Sequence, residues 1–428
     1  MTTGTDRSVS QKIEESGKQR IMRLAQGASY SLDTHKTLRN NNVLVIGASG
    51  TGKTRSVVIP NLMQMTGSYI VSDPKGVLYH RYGDMFRRAG YRVKMLDFIH
   101  PGKSIGYNPF RYIRSEMDIT RFAHMLVFQD VISKDVFWDM ATQLLLETLM
   151  AYVHEEAPSY ERNLNTVLLF LEHMEAKTEG QKEDNTIDII FRDLEKERPD
   201  SYAVRKYHQL KTIYGAERTH ACIIMEAITR IGHYSANEIA HMLAYDETNI
   251  TSIGEEKTAL FVSVSDCDRS MDTLANLFFT QSMTELCRQA DKGEPYRLKV
   301  PVRFILDDFA TNCRIGDFPR MISSIRSREI SVMLMIQALS QLEASYGADA
   351  NTIVMNCDTC VYLGGTDLDT ASVIAKRADV TPSHVLDMPQ GSCYVLRRGE
   401  KPFFGWNLIS EKPKEEKKPV MGFTMGEV

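Results

Sequence analysis

Gly47-Ala48-Ser49-Gly50-Thr51-Gly52-Lys53-Thr54 fits the pattern G-x-x-x-x-G-K-[ST] at every position. Ahead of it, Val43-Leu44-Val45-Ile46 is a short, apolar, β-branched run that reads as a buried strand. Behind it, Lys53 to Ile59 reads as the opening of a helix. Strand, glycine-rich turn and helix start are the parts a phosphate-binding loop needs. The glycines let successive backbone N–H groups face a polyphosphate, and the helix N-terminus adds positive potential. The candidate nucleotide-binding residues are therefore Gly47, Ser49, Gly50, Thr51, Gly52, Lys53, Thr54 and Arg55. Lys53 would reach the β- and γ-phosphates and is expected to stand exposed, while the Thr54 hydroxyl would ligate Mg2+. ATP and Mg2+ are the cofactors implied.

A phosphate loop needs an acidic strand beside it. Phe304-Ile305-Leu306-Asp307-Asp308 is an apolar strand ending in two carboxylates, the Walker B arrangement. Asp307 would hold Mg2+, and Asp308 would orient or deprotonate the attacking water. The competing strand end, Ser263-Val264-Ser265-Asp266, carries one carboxylate. Ser331–Ile336 is the next apolar run and ends on Gln337, placed either to sense the γ-phosphate or to cap the following helix. Arg326 and Arg328 precede that run, as arginine fingers acting across a subunit interface or as surface arginines on a turn. Asp73-Pro74-Lys75-Gly76 reads as a turn after the strand Tyr69–Val71, with Lys75 near the sheet edge that carries the phosphate loop.

At 428 residues the chain exceeds one average domain, and its 43% hydrophobic content supports a sizeable core. A net charge of −4 argues against a wholly basic surface, so nucleic acid would have to be held by a local patch or channel. Arg81, Arg87, Arg88, Arg92 and Lys94 are candidates for one, or simply a solvated surface. The seven cysteines, without regular spacing, imply reduced thiols. Cys357-Asp358-Thr359-Cys360 lacks the second pair that zinc would need, and reads as buried thiols beside a strand. No apolar run approaches the roughly 18–20 residues of a membrane span, so the chain itself is expected to be soluble.

Strand-like runs at Val43–Ile46, Tyr69–Val71 and Tyr91–Phe98 alternate with helical stretches and indicate an α/β unit. From about 111 to 254 the strand signals stop. Phe137, Trp138, Ala141, Leu144, Leu145, Thr148 and Leu149 recur at the spacing of one buried helix face, and Thr219–Ile231 repeats the pattern. Glu195–Arg198 with Asp200 looks like an exposed connection. Strands return at Ala259–Val264, Val302–Leu306, Ser331–Ile336, Cys360–Leu363 and Cys393–Leu396. The expected division is an N-terminal segment (1–39, with a weak helical pattern around Ile21, Met22 and Leu24), a nucleotide-binding domain (40–110 and 255–410), an all-α insertion (111–254) and a charged tail (411–428).

In this order the blocks resemble the type IV secretion coupling proteins, the TraG/TraD-type conjugative ATPases. The specific ones are Asp73-Pro74-Lys75-Gly76, Tyr107-Asn108-Pro109-Phe110, Phe137-Trp138, Leu306–Ala310, Gln337-x-x-x-Gln341-Leu342, Asn356–Thr359, Leu363-Gly364-Gly365 and Met388-Pro389-x-Gly391. The resemblance covers about residues 30 to 405. It implies a RecA-like P-loop domain with a central twisted sheet, interrupted by an all-α domain. It also implies a homo-hexameric ring at the cytoplasmic face of the cell membrane, with relaxase-bound single-stranded DNA, relaxosome proteins and type IV secretion channel components as partners. Two departures stand out: members usually carry Glu where this chain has Asp308, and they carry N-terminal membrane helices. The competing readings are a receptor for secreted protein effectors in which ATP controls assembly, and a double-strand DNA pump of the chromosome-segregation type.

Overall fold

The computed structural model describes residues 20–128, 135–174, 186–213, 217–311 and 313–410; the charged tail and the first nineteen residues lie outside them. Eleven strands are described: β1 (Ile21–Ala25), β2 (Ala28–Ser31), β3 (Val43–Ile46), β4 (Ser68–Ser72), β5 (Arg92–Asp97), β6 (Thr258–Ser263), β7 (Val302–Leu306), β8 (Ile330–Ile336), β9 (Thr359–Tyr362), β10 (Ser392–Arg397) and β11 (Phe403–Trp406). Nine of them form one sheet in the order β11-β10-β9-β3-β8-β7-β4-β6-β5. The run from β9 to β5 is parallel, and β10 and β11 close one edge antiparallel. Strands β3, β4, β6 and β7 are buried at every residue, as parallel strands covered on both faces must be, which is why they read as unbroken apolar runs. The fold is thus the expected α/β class with a helical insertion.

Alternate residues of each strand feed two cores. Val43, Val45, Val71, Phe261, Ile305 and Met335 pack on one face with the β1–β2 hairpin. Leu44, Ile46, Ile70, Leu260, Phe304 and Leu334 pack on the other, in a cluster that runs on into the insertion. Between β5 and β6 every described element is helical; the longer ones are Glu116–Phe128, Val136–Glu156, Leu164–Glu172, Thr186–Glu197, Tyr202–Ile213, Glu217–Ile231 and Asn237–Ala244. An edge-to-face pair of Phe110 with Phe122 at 5.6 Å packs the start of the insertion on the helix Glu116–Phe128, and one of Tyr107 with Phe278 at 5.2 Å ties the segment leading into it to the helix Asp272–Lys292, which follows β6. No helix among the described residues is long and apolar enough to cross a membrane.

Several readings change. The weak helical pattern around Ile21, Met22 and Leu24 is instead strand β1: Met22 and Leu24 point into the core, Arg23 points out, and Gly27 turns the chain at φ +86°. Strand β11 went unread because it is short, only partly buried and interrupted by Gly405. Phe137 does not belong to the buried face of its helix. It is 45% exposed, next to exposed Val136 and Met140, while Ala141, Leu145, Thr148 and Leu149 are buried. Glu195 to Glu197 is the end of the helix Thr186–Glu197, which Ile187, Phe191 and Leu194 anchor at i, i+4 and i+7; the connection is only Arg198 to Ser201.

Asp73 is buried, and its Oδ2 accepts the Tyr79 N–H at 2.8 Å, capping the helix Val77–Arg88, while Gly76 at φ +65° makes the entry turn. Lys75 pairs with Asp266 at 3.5 Å beyond β6, on the carboxyl side of the sheet but separated from β3 by β7 and β8. Cys357 and Cys360 are buried, as expected, and burial pushes the Cys360 thiol up to about 11. Of the basic set, Arg87 pairs with Asp84, Arg92 with Glu256, and Lys94 donates to the Glu247 and Thr248 carbonyls, so most of that charge is already engaged.

Candidate active site

The phosphate loop leaves the carboxyl end of β3 between its neighbours β8 and β9. It is pinned on both sides, by Gly47 N–H to the Ile336 carbonyl at 3.1 Å and Ala48 N–H to the Gly364 carbonyl at 3.0 Å. Gly50 and Gly52 take φ of +80° and +83°, which a side chain would resist. Gly47 is required for a different reason: a Cβ there would meet the Thr51 Oγ1 at 2.5 Å. That hydroxyl donates to the Ala48 carbonyl at 2.8 Å and closes the loop on itself. Ser49, Gly50 and Arg55 are exposed around the mouth, and Thr51, Gly52 and Thr54 are half-buried.

The helix behind the loop begins with a wide turn, Thr54–Val58, in which the Ile59 N–H bonds the Thr54 carbonyl five residues back, and continues only through Ile59–Leu62. Pro60 has no N–H for the Ser56 carbonyl, so the regular ladder cannot run through this point. Asn61 holds the turn, donating to the Val57 and Arg23 carbonyls at 2.7 Å each and accepting from the Arg23 N–H at 3.0 Å.

Contrary to expectation Lys53 is not exposed. It is 9% accessible, and its Nζ donates to the Gly47 carbonyl at 2.7 Å. Burial lowers its pKa, opposed by the nearby charges of Asp308 and Asp307. The Thr54 Oγ1 donates to the Asp307 Oδ2 at 2.6 Å, joining two residues 253 positions apart. Burial raises the Asp307 pKa, with the Thr54 hydrogen bond pulling the other way. Asp307 also accepts the Asp308 N–H at 3.2 Å, and its carbonyl receives the Ser72 hydroxyl at 3.3 Å. A hydroxyl and a carboxylate side by side are hard oxygen donors of the kind Mg2+ takes when phosphates and water complete its shell. Among the described residues no group of three or more His, Cys, Asp or Glu is placed to hold a metal unaided.

Asp308 is only partly buried and sits at φ +51°, a left-handed conformation that Asp tolerates better than Glu. The competing carboxylate Asp266 lies beyond β6, two strands from β7, and pairs with Lys75. Gln337 is exposed at the tip of β8, the strand lying between β3 and β7. Its side chain does not cap the next helix, Leu339–Tyr346; instead its N–H donates to the Gln341 Oε1 at 2.7 Å, and Gln341 reaches the Thr311 hydroxyl at 3.4 Å. Arg326 and Arg328 lie where β8 begins, at the edge of the sheet opposite the phosphate loop, so the fold does not bring them to the site of their own chain. Arg326 donates to the Thr34 carbonyl at 3.2 Å, and Arg328 forms a two-pronged pair with Asp291 at 2.7 and 2.9 Å.

Sequence reasoning missed Thr51 as the lock of the loop, Asn61 as its brace, and Ile409, whose Cδ1 lies 3.6 Å from where a Cβ on Gly52 would be. Thr51 sits inside the motif, where it was read only as a nucleotide contact, and Asn61 is a polar residue seven positions beyond it. Ile409 is more than 350 residues away and carries no local signal.

Known proteins resemble this chain in sequence and in fold. The chain is 22% identical over 369 residues to the conjugal transfer protein TraG of Rhizobium radiobacter, covering 80% of this chain and 53% of that protein. It therefore spans about half the length of that curated relative. Two structures of the plasmid coupling protein TrwB share its fold. One, in complex with a non-hydrolysable ATP analogue, has a TM-score of 0.64, 16% identity and coverage of 94% of this chain and 92% of that one. The other, with ADP and Mg2+, has a TM-score of 0.62, 16% identity and the same coverage. The family model for type IV secretory system conjugative DNA transfer matches residues 5–381, a span that takes in the phosphate loop, the acidic strand and the helical insertion. The chain belongs to the type IV secretory system conjugative DNA transfer family.

Proposed function

We propose that this chain is an ATP hydrolase that couples relaxase-bound single-stranded DNA to a type IV secretion channel, working as a homo-hexameric ring at the cytoplasmic face of the membrane. The observation that carries the chemistry is the Thr54–Asp307 hydrogen bond, which unites the phosphate loop with the acidic strand. Loop N–H groups and Lys53 would hold the phosphates, Lys53 exchanging the Gly47 carbonyl for phosphate oxygens. Thr54 and Asp307 would hold Mg2+, which when bound neutralises charge on the phosphates. Asp308, beside them, orients the attacking water and accepts its proton. Gln337 is set to sense the γ-phosphate from the neighbouring strand tip. In this reading 40–110 and 255–410 carry the ATP chemistry, and 111–254 contributes cargo recognition.

The family match and the TrwB complexes support the reading; the direct test is ATP turnover and solution mass with and without single-stranded DNA. Stimulation of turnover, together with a ring-sized species, is expected. Turnover indifferent to DNA would favour the protein-effector receptor instead.

Arg326, being remote from its own phosphate loop, could reach a nucleotide only in a neighbouring subunit. Inactive Arg326→Ala subunits should then regain activity when mixed with inactive Lys53→Ala subunits, because each supplies what the other lacks. Mixed rings with no recovery at any ratio would exclude action in trans.

A further inference from the structure

At the edge of the sheet opposite the phosphate loop, a narrow pocket is lined by Arg20, Arg303, Arg326, Glu329 and Ser331. Arg303 lies on β7, flanked in register by Tyr69 of β4 and Ser331 of β8. It is 7% accessible, and among the described residues its side chain has a single hydrogen bond, from Nε to the Ser331 Oγ at 3.2 Å, and no carboxylate partner. Burial lowers its pKa to about 10, with the Tyr69 phenol opposing and Arg20 adding to the fall. Among the described residues the pocket has one carboxylate, Glu329, which is paired with Arg20 at 3.7 Å. Among those residues the Arg326 side chain reaches only the Thr34 carbonyl. Among the described residues three arginines thus share one carboxylate in this pocket, leaving two positive charges without counter-charge, one of them deeply buried. A buried unpaired charge is strongly destabilising, and a structural core would replace it with an apolar residue.

We propose that this pocket is a second oxyanion site, separate from the phosphate loop, that takes one phosphate dianion. Its two negative charges match the two left over. Its tetrahedral oxygens can accept from several guanidinium N–H groups at once, which a flat carboxylate does less well. A dianion is carried by inorganic phosphate or by a terminal phosphate monoester, whereas each internal phosphodiester of DNA carries only one charge.

The experiment uses the full chain with Lys53→Ala, so that binding at the phosphate loop is suppressed, and follows the melting temperature as ligand is added. The ligands are inorganic phosphate and a short oligonucleotide with or without a 5′-phosphate. Stabilisation by inorganic phosphate, or by the 5′-phosphorylated strand over its unphosphorylated twin, is expected, and tells which source the site accepts. Adding Arg303→Gln should raise the half-maximal ligand concentration at least tenfold. Arg20→Gln, at an exposed position, should raise it several-fold by removing one cation and freeing Glu329, and carries the test if Arg303→Gln does not fold. The proposal falls if inorganic phosphate does not stabilise the Lys53→Ala chain and the 5′-phosphorylated strand does so no more than its unphosphorylated twin, or if the effect survives these substitutions. Because all arms share Lys53→Ala, the outcome is independent of whether ATP is hydrolysed at the phosphate loop.

Discussion

Lys53→Ala is expected to lower ATP turnover at least a hundredfold. One charge-assisted donor aimed at the transferring phosphoryl group is worth about 3–4 kcal/mol, or 10²–10³ in rate. The fold should survive, because among the described residues Lys53 Nζ bonds only the Gly47 and Ala48 carbonyls, and a bond of that kind contributes about 1–3 kcal/mol to stability. Steady-state turnover beside a thermal melt checks both halves. A Lys53→Ala protein that melts normally and hydrolyses ATP at the wild-type rate would remove the phosphate loop from the chemistry.

Asp308→Asn should cut turnover by about 10²–10⁴ while ATP stays bound, the range expected when a positioned base is lost. Asn accepts the left-handed backbone found at this position, so the change isolates the charge. Asp307→Asn should differ in kind, weakening Mg2+-dependent nucleotide binding and the link to Thr54. Asp308→Glu tests why this chain departs from the usual Glu. The longer side chain regains reach toward the water, but φ of +51° disfavours it by about 1 kcal/mol, so turnover should stay within tenfold of the wild type. Nucleotide affinity and single-turnover rates separate these cases. Normal chemistry in Asp308→Asn would shift the water-orienting role to Gln337.

The central strands were legible because each is an unbroken apolar run flanked by turn residues, and full burial on both faces leaves no polar alternation to confuse the pattern. The phosphate loop was legible because its glycines and its Lys-Thr pair answer to local backbone geometry. Where local pattern was weak the reading failed. Met22 and Leu24 suit a helix or a strand equally until the chain is seen to turn back at Gly27. Phe137 looks like core by spacing, yet its helix buries a face that does not include it.

The phosphate loop and the acidic strand could be read from the chain alone, since each rests on residues within a few positions of one another, and the α/β class and the family resemblance followed from the order of such local blocks along it. Only the tertiary structure decided the strand order that sets β8 between β3 and β7, the contact of Thr54 with Asp307, the burial of Lys53 and the gathering of Arg20, Arg303 and Arg326 into one pocket. The reason is physical. Side-chain periodicity reports which face of an element is buried, whereas the partner buried against it is chosen by packing between segments that lie hundreds of residues apart.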